Sequence, residues 1–335
     1  MSSLSTAQLI LNASQQYTVY VSFIILFSGV FGHIANIFVF ARLTIFRGNP
    51  SAFYLIAESI IDLLELMIAF PSSIAINGFG NDLSQTSILW CKLKPFLTQS
   101  ITVISLNIVC FAAIDQYLST SCHPFLRQIS TIKLAKTLTT IASIFWILHG
   151  ILALFFLEIQ SIYGCTVYNE NFRKYITYFY YPILTGTLPI AVSSFFSILA
   201  YQNVRRIVRR QMPMRRRKLD QQLTAMILVR VGLLIVMISP YLLQRIYTIS
   251  TLTANNSPIF QAILQLTAAI TVSLFNLNYA GSFYIFLISS TRFRRQVKYV
   301  FINKCWRMYC RKRIRQNQVG TLEQRSTCEF DLQSM

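Results

Sequence analysis

The chain has 335 residues, 54% of them hydrophobic and only 12% charged, with a mean hydropathy of +0.51. A soluble domain is about a quarter charged, so this composition excludes an ordinary water-soluble globule and calls for an apolar solvent. The formal charge of +19 raises nucleic acid as a partner, but the basic residues sit in blocks between apolar runs, which argues against it.

Residues 1–17 form an uncharged tail that carries Asn12-Ala13-Ser14, an N-glycosylation acceptor triplet. Tyr17 to Ala41 then runs without Asp, Glu, Lys or Arg. It is too long for a signal-peptide core and lacks a basic start and a small-residue cleavage site. It therefore reads as a first transmembrane helix, for which roughly 20 apolar residues suffice. Further apolar runs give seven spans, at roughly 18–42, 52–76, 92–117, 134–157, 174–203, 222–249 and 259–288. The expected fold is an all-α membrane protein, a seven-transmembrane-helix bundle with a short amphipathic eighth helix, over residues 18–300. A cytoplasmic tail, disordered for most of its length, is expected over 301–335.

The connections alternate between two sides, and every Lys and Arg except Lys92, Lys94, Arg173, Lys174, Arg230 and Arg245 falls on one of them. Basic loops stay in the cytoplasm, so the N-terminus is expected outside and the C-terminus inside. A second acceptor triplet, Asn255-Asn256-Ser257, then lies in an outer loop. The inner segment 203–222 is dense in Arg and is broken by Met212-Pro213-Met214. From Ser290 to Tyr299, apolar and basic residues alternate at helical spacing, as in a helix lying on an anionic inner leaflet. The basic residues read either as a topology signal with lipid contact or as a partner surface.

Short motifs recur in a fixed order along these spans. They are Gly32-His33-Ile34-Ala35-Asn36, Ile61-Asp62-Leu63-Leu64, Trp90-Cys91-Lys92-Leu93, Ala113-Ile114-Asp115-Gln116-Tyr117-Leu118, His123-Pro124, Trp146, Pro189, Pro240-Tyr241 and Phe293-Arg294-Arg295. In order and spacing they resemble the rhodopsin-like, G-protein-coupled receptors over about residues 18–300. Cys91 and Asp115 lie about 24 residues, or roughly 36 Å of helix, apart, which places one at each membrane face. The resemblance implies a plasma-membrane receptor with a disulfide between Cys91 and Cys165, the two cysteines on the outer side. It also implies helix pivots at Pro189 and Pro240. Cys305 and Cys310 follow the surface helix, where they are either palmitoylated or free thiols.

Ionisable residues inside a span are costly and usually functional. By resemblance, Asp62 forms a polar core with Asn36, Ser105, Asn278 and Ser282. That core holds either a sodium ion, the one cofactor to be considered, or only hydrogen bonds. Glu58 reads as structural. Glu65, Thr98, Gln99, Thr102, Tyr241, Arg245 and Gln265 are candidate ligand contacts, with Glu65 and Arg245 paired to each other or to a ligand. Thr98 stands where amine receptors carry an aspartate, which disfavours a monoamine. Asn276 stands where opsins carry the retinal-binding lysine.

The family's activation motifs are altered here. Gln116 replaces the arginine of Asp-Arg-Tyr, Ile238 replaces a tryptophan, and Ser282-Phe283-Tyr284-Ile285-Phe286 replaces Asn-Pro-x-x-Tyr. The last pattern, with Asn278-Tyr279 and Asp220-Gln221-Gln222-Leu223-Thr224, looks like some invertebrate neuropeptide receptors and favours a peptide ligand. An amide makes weaker bonds than a guanidinium, so a lock between Gln116 and Asp220 is expected to be soft. Asp115, Gln116, Tyr117, Asp220 and Arg230 are expected to face a heterotrimeric G protein. Arg230 either pairs with Asp115 or snorkels to the inner interface. The alternatives are a seven-helix scavenger or scaffold without G-protein coupling, and a channel or transporter, for which an internal repeat would be expected. No nucleophile–base set or metal-ligand spacing suggests an enzyme.

Overall fold

Seven long helices account for most of the chain in a computed structural model that describes residues 3–80, 83–160, 164–207, 214–251 and 257–304. They are α1 (Ser3–Arg42), α2 (Pro50–Phe79), α3 (Ile88–Thr120), α4 (Ile132–Phe156), α5 (consecutive segments Glu170–Tyr175, Ile176–Thr187 and Leu188–Ile207), α6 (Met214–Thr251) and α7 (Pro258–Ala280 and Ser282–Ser289, joined at Gly281). An eighth, α8 (Thr291–Lys298), continues into a wider turn over Tyr299–Lys304. Six of the seven are long and apolar enough to cross a membrane. The other, α2, spans 30 residues and carries Glu58, Asp62 and Glu65. Those acids turn out to be the centre of the molecule.

Helix starts follow local capping chemistry. Asn49 accepts the Ala52 N–H at 3.0 Å and Pro50 opens α2. Thr131, Ser257 and Ser290 cap α4, α7 and α8 in the same way. Each side-chain oxygen satisfies an N–H that the first helical turn leaves without a partner. The tail expected before the first span is helical from Ser3. No Gly or Pro interrupts it, and Ala7, Ser14 and Thr18 are buried.

Pro182 explains the irregular middle of α5. It has no N–H to donate, and the helix widens there, so that the Leu188 N–H reaches back five residues to the Ile183 carbonyl. The Thr187 hydroxyl donates to the Pro182 carbonyl at 2.9 Å. Pro189, expected as the pivot, is instead the second residue of the regular segment that follows, and its carbonyl accepts the Ser193 hydroxyl at 2.5 Å. Pro240 lies inside α6 without ending it.

The helices pack closely. A Cβ on Gly29 of α1 would stand 2.6 Å from Leu66 of α2 and 2.8 Å from Ala280 of α7, so only glycine permits this three-helix approach. At the α8 end, Phe293 is fully buried among Phe40, Phe283 and Phe286, with ring centroids 5.6–6.1 Å apart. The basic face of α8 stays exposed at Arg294 and Arg295.

At the opposite end a two-stranded antiparallel hairpin, β1 (Leu157–Gln160) and β2 (Gly164–Val167), follows α4, with Ile159 opposite Cys165. Cys165 forms a disulfide with Cys91 in the first turn of α3. The bond closes a loop over a sequence separation of 74. Cross-linking such a loop restricts the unfolded chain and stabilises the fold by about 2–4 kcal/mol. Replacing Cys165 by Ser should lower the melting temperature of the detergent-solubilised protein by roughly 5–15 °C. An unchanged melting curve would show that the hairpin is held by other contacts.

Candidate functional site

A cavity of about 350 Å³ opens at the disulfide end, between α2, α3, α5, α6 and α7. Of the expected ligand contacts, Glu65, Thr98, Gln99, Thr102, Tyr241 and Arg245 line it. Gln265 does not. It lines a second cavity of about 260 Å³ between α1, α6 and α7, which shares Arg245 with the first. Sequence reasoning missed Tyr180 and Tyr181, which α5 supplies at its widened segment. The aromatic run Tyr178-Phe179-Tyr180-Tyr181 before Pro182 was the available signal.

The polar groups of the larger cavity are graded in depth. At its floor Glu65 is 4% exposed; Oε1 accepts the Thr102 hydroxyl at 3.3 Å, and Oε2 has no hydrogen-bond partner among the described residues. At its mouth Arg245 is bonded by Nε to the Tyr241 hydroxyl at 3.1 Å and lies over the rings of Tyr181 and Tyr241, 5.7 and 5.5 Å from their centroids. Glu65 and Arg245 share the cavity, but they are not an ion pair. The Thr98 hydroxyl bonds back to the Lys94 carbonyl at 3.0 Å, and the Gln99 carbonyl accepts the Tyr180 hydroxyl at 2.9 Å.

Beneath this floor lies a buried ionic cluster. Asp62 is about one turn from Glu65 on α2, roughly 4.5 Å along the axis. Its Oδ1 accepts the Ser105 hydroxyl of α3 at 2.5 Å. Arg230 of α6, 1% exposed, forms a salt bridge through Nε to Glu58 Oε1. Its Nη1 donates to Asn278 Oδ1 of α7 at 2.6 Å, and its Nη2 stands 3.7 Å from Asp62 Oδ2. Arg230 thus neither reaches Asp115 nor snorkels to an interface, and it is not part of the face expected for a partner. Desolvating a lone guanidinium costs several kcal/mol, so the side chain turns to the two carboxylates that α2 offers. Asn36 donates to Ser282 at 3.2 Å beside this group. Of the residues expected around a sodium ion, Asp62 and Asn278 face this guanidinium, while Ser105 bonds Asp62 and Asn36 bonds Ser282.

The third layer lies at the end nearest α8. Asp115 accepts hydroxyl bonds at 2.6 Å from Ser51 and from Ser130, and Ser51 is also 2.9 Å from Gln116 Oε1. Gln116 Nε2 donates to the Thr224 hydroxyl at 2.6 Å and to the Asp220 backbone carbonyl at 3.2 Å. The expected tie from Gln116 to α6 exists, but it takes the main chain of Asp220 rather than its carboxylate. An amide can bond a carbonyl and a hydroxyl without needing a counter-charge. Tyr117 packs on Phe196 of α5, centroids 5.6 Å apart. Reciprocal amide bonds between Gln222 and Gln296, at 2.7 and 3.3 Å, join α6 to α8.

Asn12 is exposed on α1. Asn255, Cys305 and Cys310, expected as modification sites, lie outside the described residues, as does the tail that follows.

A family model described as "7 transmembrane receptor (rhodopsin family)" matches residues 32–278. No curated protein matches the chain.

Breaking a buried pair strands the remaining charge and is strongly destabilising, by about 3–5 kcal/mol. Glu58→Leu should therefore cost the protein far more than Glu58→Gln, which keeps an acceptor for Arg230. Thermal unfolding of the two purified variants should rank them in that order, and equal losses would mean that Glu58 acts only by filling space.

Proposed function

The chain belongs to the rhodopsin family of seven-transmembrane receptors, and from that premise we propose that it binds an extracellular peptide and signals to a heterotrimeric G protein. The family is one of receptors, not enzymes, and its members are multi-pass proteins of the plasma membrane. The orientation proposed, with the N-terminus outside, rests on the basic blocks beside α5, α6 and α8. It sets the cavity towards the exterior and Asp115 to Tyr117 towards the cytosol.

The observation that carries the reading is the graded polarity of the cavity. Its floor offers the Glu65 carboxylate and its mouth the Arg245 guanidinium among tyrosines. A ligand that brings a donor or cation deep and an acceptor or anion to the mouth matches both. Peptides carry both kinds of group at many spacings, whereas a simple monoamine supplies only the first. The likeness of Ser282 to Phe286 to invertebrate neuropeptide receptors points the same way. Ligand engaging Arg245 and Tyr241 acts directly on α6, five residues or fewer from Pro240. The proposed response is an outward swing of α6 that releases Gln116 from Thr224 and Asp220, a switch between two packings. The basic face of α8 rests on anionic lipid in this arrangement.

A scaffold or scavenger role without G-protein coupling is the second reading, and Gln116 in place of an arginine favours it. In transfected cells, pools of free-acid and amidated peptides would be screened for G-protein recruitment. An active peptide should lose about 10- to 100-fold in potency on Glu65→Gln or Arg245→Ala, as for a lost charge-assisted bond. Peptide binding without any recruitment would favour the scaffold. Ligand-free signalling should rise severalfold in Gln116→Leu, which loses both bonds to α6, and fall in Gln116→Arg. Unchanged output in both variants would remove Gln116 from the switch.

A further inference from the structure

We infer that Arg230 is the resident cation of the polar core, so that this receptor holds no sodium ion beside Asp62. Four observations carry this. The guanidinium is 1% exposed and stands 3.7 Å from Asp62 Oδ2. Its Nη1 has taken Asn278 Oδ1, an oxygen that a sodium ion would need as a ligand. Asp62 Oδ1 already accepts the Ser105 hydroxyl at 2.5 Å, so that carboxylate oxygen has a partner within the chain. Ser282, where the resemblance leads one to expect an amide side chain, accepts from Asn36. A small cation requires several oxygens converging on one point, and here Glu58 Oε1, Asp62 Oδ2 and Asn278 Oδ1 face a planar group with five N–H donors instead. Glu58 and Asp62 outnumber Arg230 by one negative charge. A proton can balance that surplus without a coordination sphere, and a metal ion cannot.

The difference from a dissociable ion is that this cation is covalently part of α6. It joins α6 to Glu58 and Asp62 on α2 and to Asn278 on α7 through a single side chain. An ion can leave while the helices stay in place, whereas the guanidinium leaves the carboxylates only if α6 moves or its own side chain swings out. The hold on α6 is thus set within the chain and is independent of the salt outside. The assignment of the cation stands on geometry alone, and only this consequence for α6 rests on the signalling reading.

The test uses the purified full-length protein and sodium itself as the probe. Melting temperatures are compared in sodium chloride and choline chloride at equal ionic strength, which equalises general screening. The wild type should melt at the same temperature in both salts. Arg230→Met, which removes the charge but retains much of the bulk, should gain a saturable, sodium-selective rise of several degrees, as for any ligand that binds only the folded state. Adding Asp62→Asn to that variant should abolish the rise. Selective stabilisation of the wild type by sodium would overturn the assignment. So would a folded Arg230→Met that ignores sodium, because the cluster would then not be a cation site. Should Arg230→Met fail to fold, the wild-type comparison decides, joined by Arg230→Lys, which keeps a cation and should remain indifferent to sodium. The readout involves no G protein, so failure of the signalling proposal would leave it intact.

Discussion

An arginine in the apolar middle of a helix bundle must be neutralised within reach of its own side chain, and this requirement organises the protein around Arg230. The cost of an unpaired buried charge is several kcal/mol, a large share of the marginal stability of a domain. The packing answers it with Glu58 and Asp62 from α2 and Asn278 from α7. Residues 48 to 172 positions from Arg230, on α7 and α2, are thereby drawn to one point. The Gly29 contact with Leu66 and Ala280 brings α1 against α2 and α7 on the adjoining side. The two features support one another, since close packing excludes water and a dry interior strengthens the ionic contacts.

From that centre the functional layers follow in order. Glu65, one turn beyond Asp62, forms the floor of the cavity proposed for the ligand, so a group bound there would lie within a few residues of the ionic cluster. Gln116, Thr224 and Asp220 close the other end. α6 takes part in all three layers, with Arg245 and Tyr241 in the cavity, Arg230 in the cluster, and Thr224 and Asp220 at the closing contact. The route proposed for a signal therefore needs no relay of many residues. One stiff helix, anchored at three heights, has its outermost anchor altered by ligand.

The charges are redistributed relative to the family pattern. An arginine is missing beside Asp115, and another stands inside α6. The contact of α3 with α6 near α8 is consequently made of neutral bonds, while the charged restraint on α6 lies in the core. Gln116 and Thr224 are buried, but neutral bonds of this kind contribute only about 1 kcal/mol net each. Breaking a buried charge pair costs more, about 3–5 kcal/mol. On the signalling reading proposed above, the stronger restraint on α6 sits beneath the cavity rather than at the end proposed for the partner.

Much of the architecture was written in local chemistry. The number of spans and their sidedness follow from apolar run lengths and the placement of charge, and the pairing of Cys91 with Cys165 was implied by the family resemblance. The caps at Asn49, Thr131, Ser257 and Ser290 are equally local, though the structure located them. Those signals act over a few residues or across a membrane, so a linear reading reaches them. The helical tail before the first span was missed because its weak apolar pattern became helix only by packing. Six of the seven candidate ligand residues meet in one cavity, because helix phase places them on a common face. The partner of Arg230, the carbonyl rather than carboxylate of Asp220 bonded by Gln116, and the contribution of Tyr180 and Tyr181 were decided by tertiary structure. Each depends on the rotation and axial offset of one helix against another. Side-chain packing sets both quantities through contacts between residues up to 256 positions apart, and no periodicity within a single span records them.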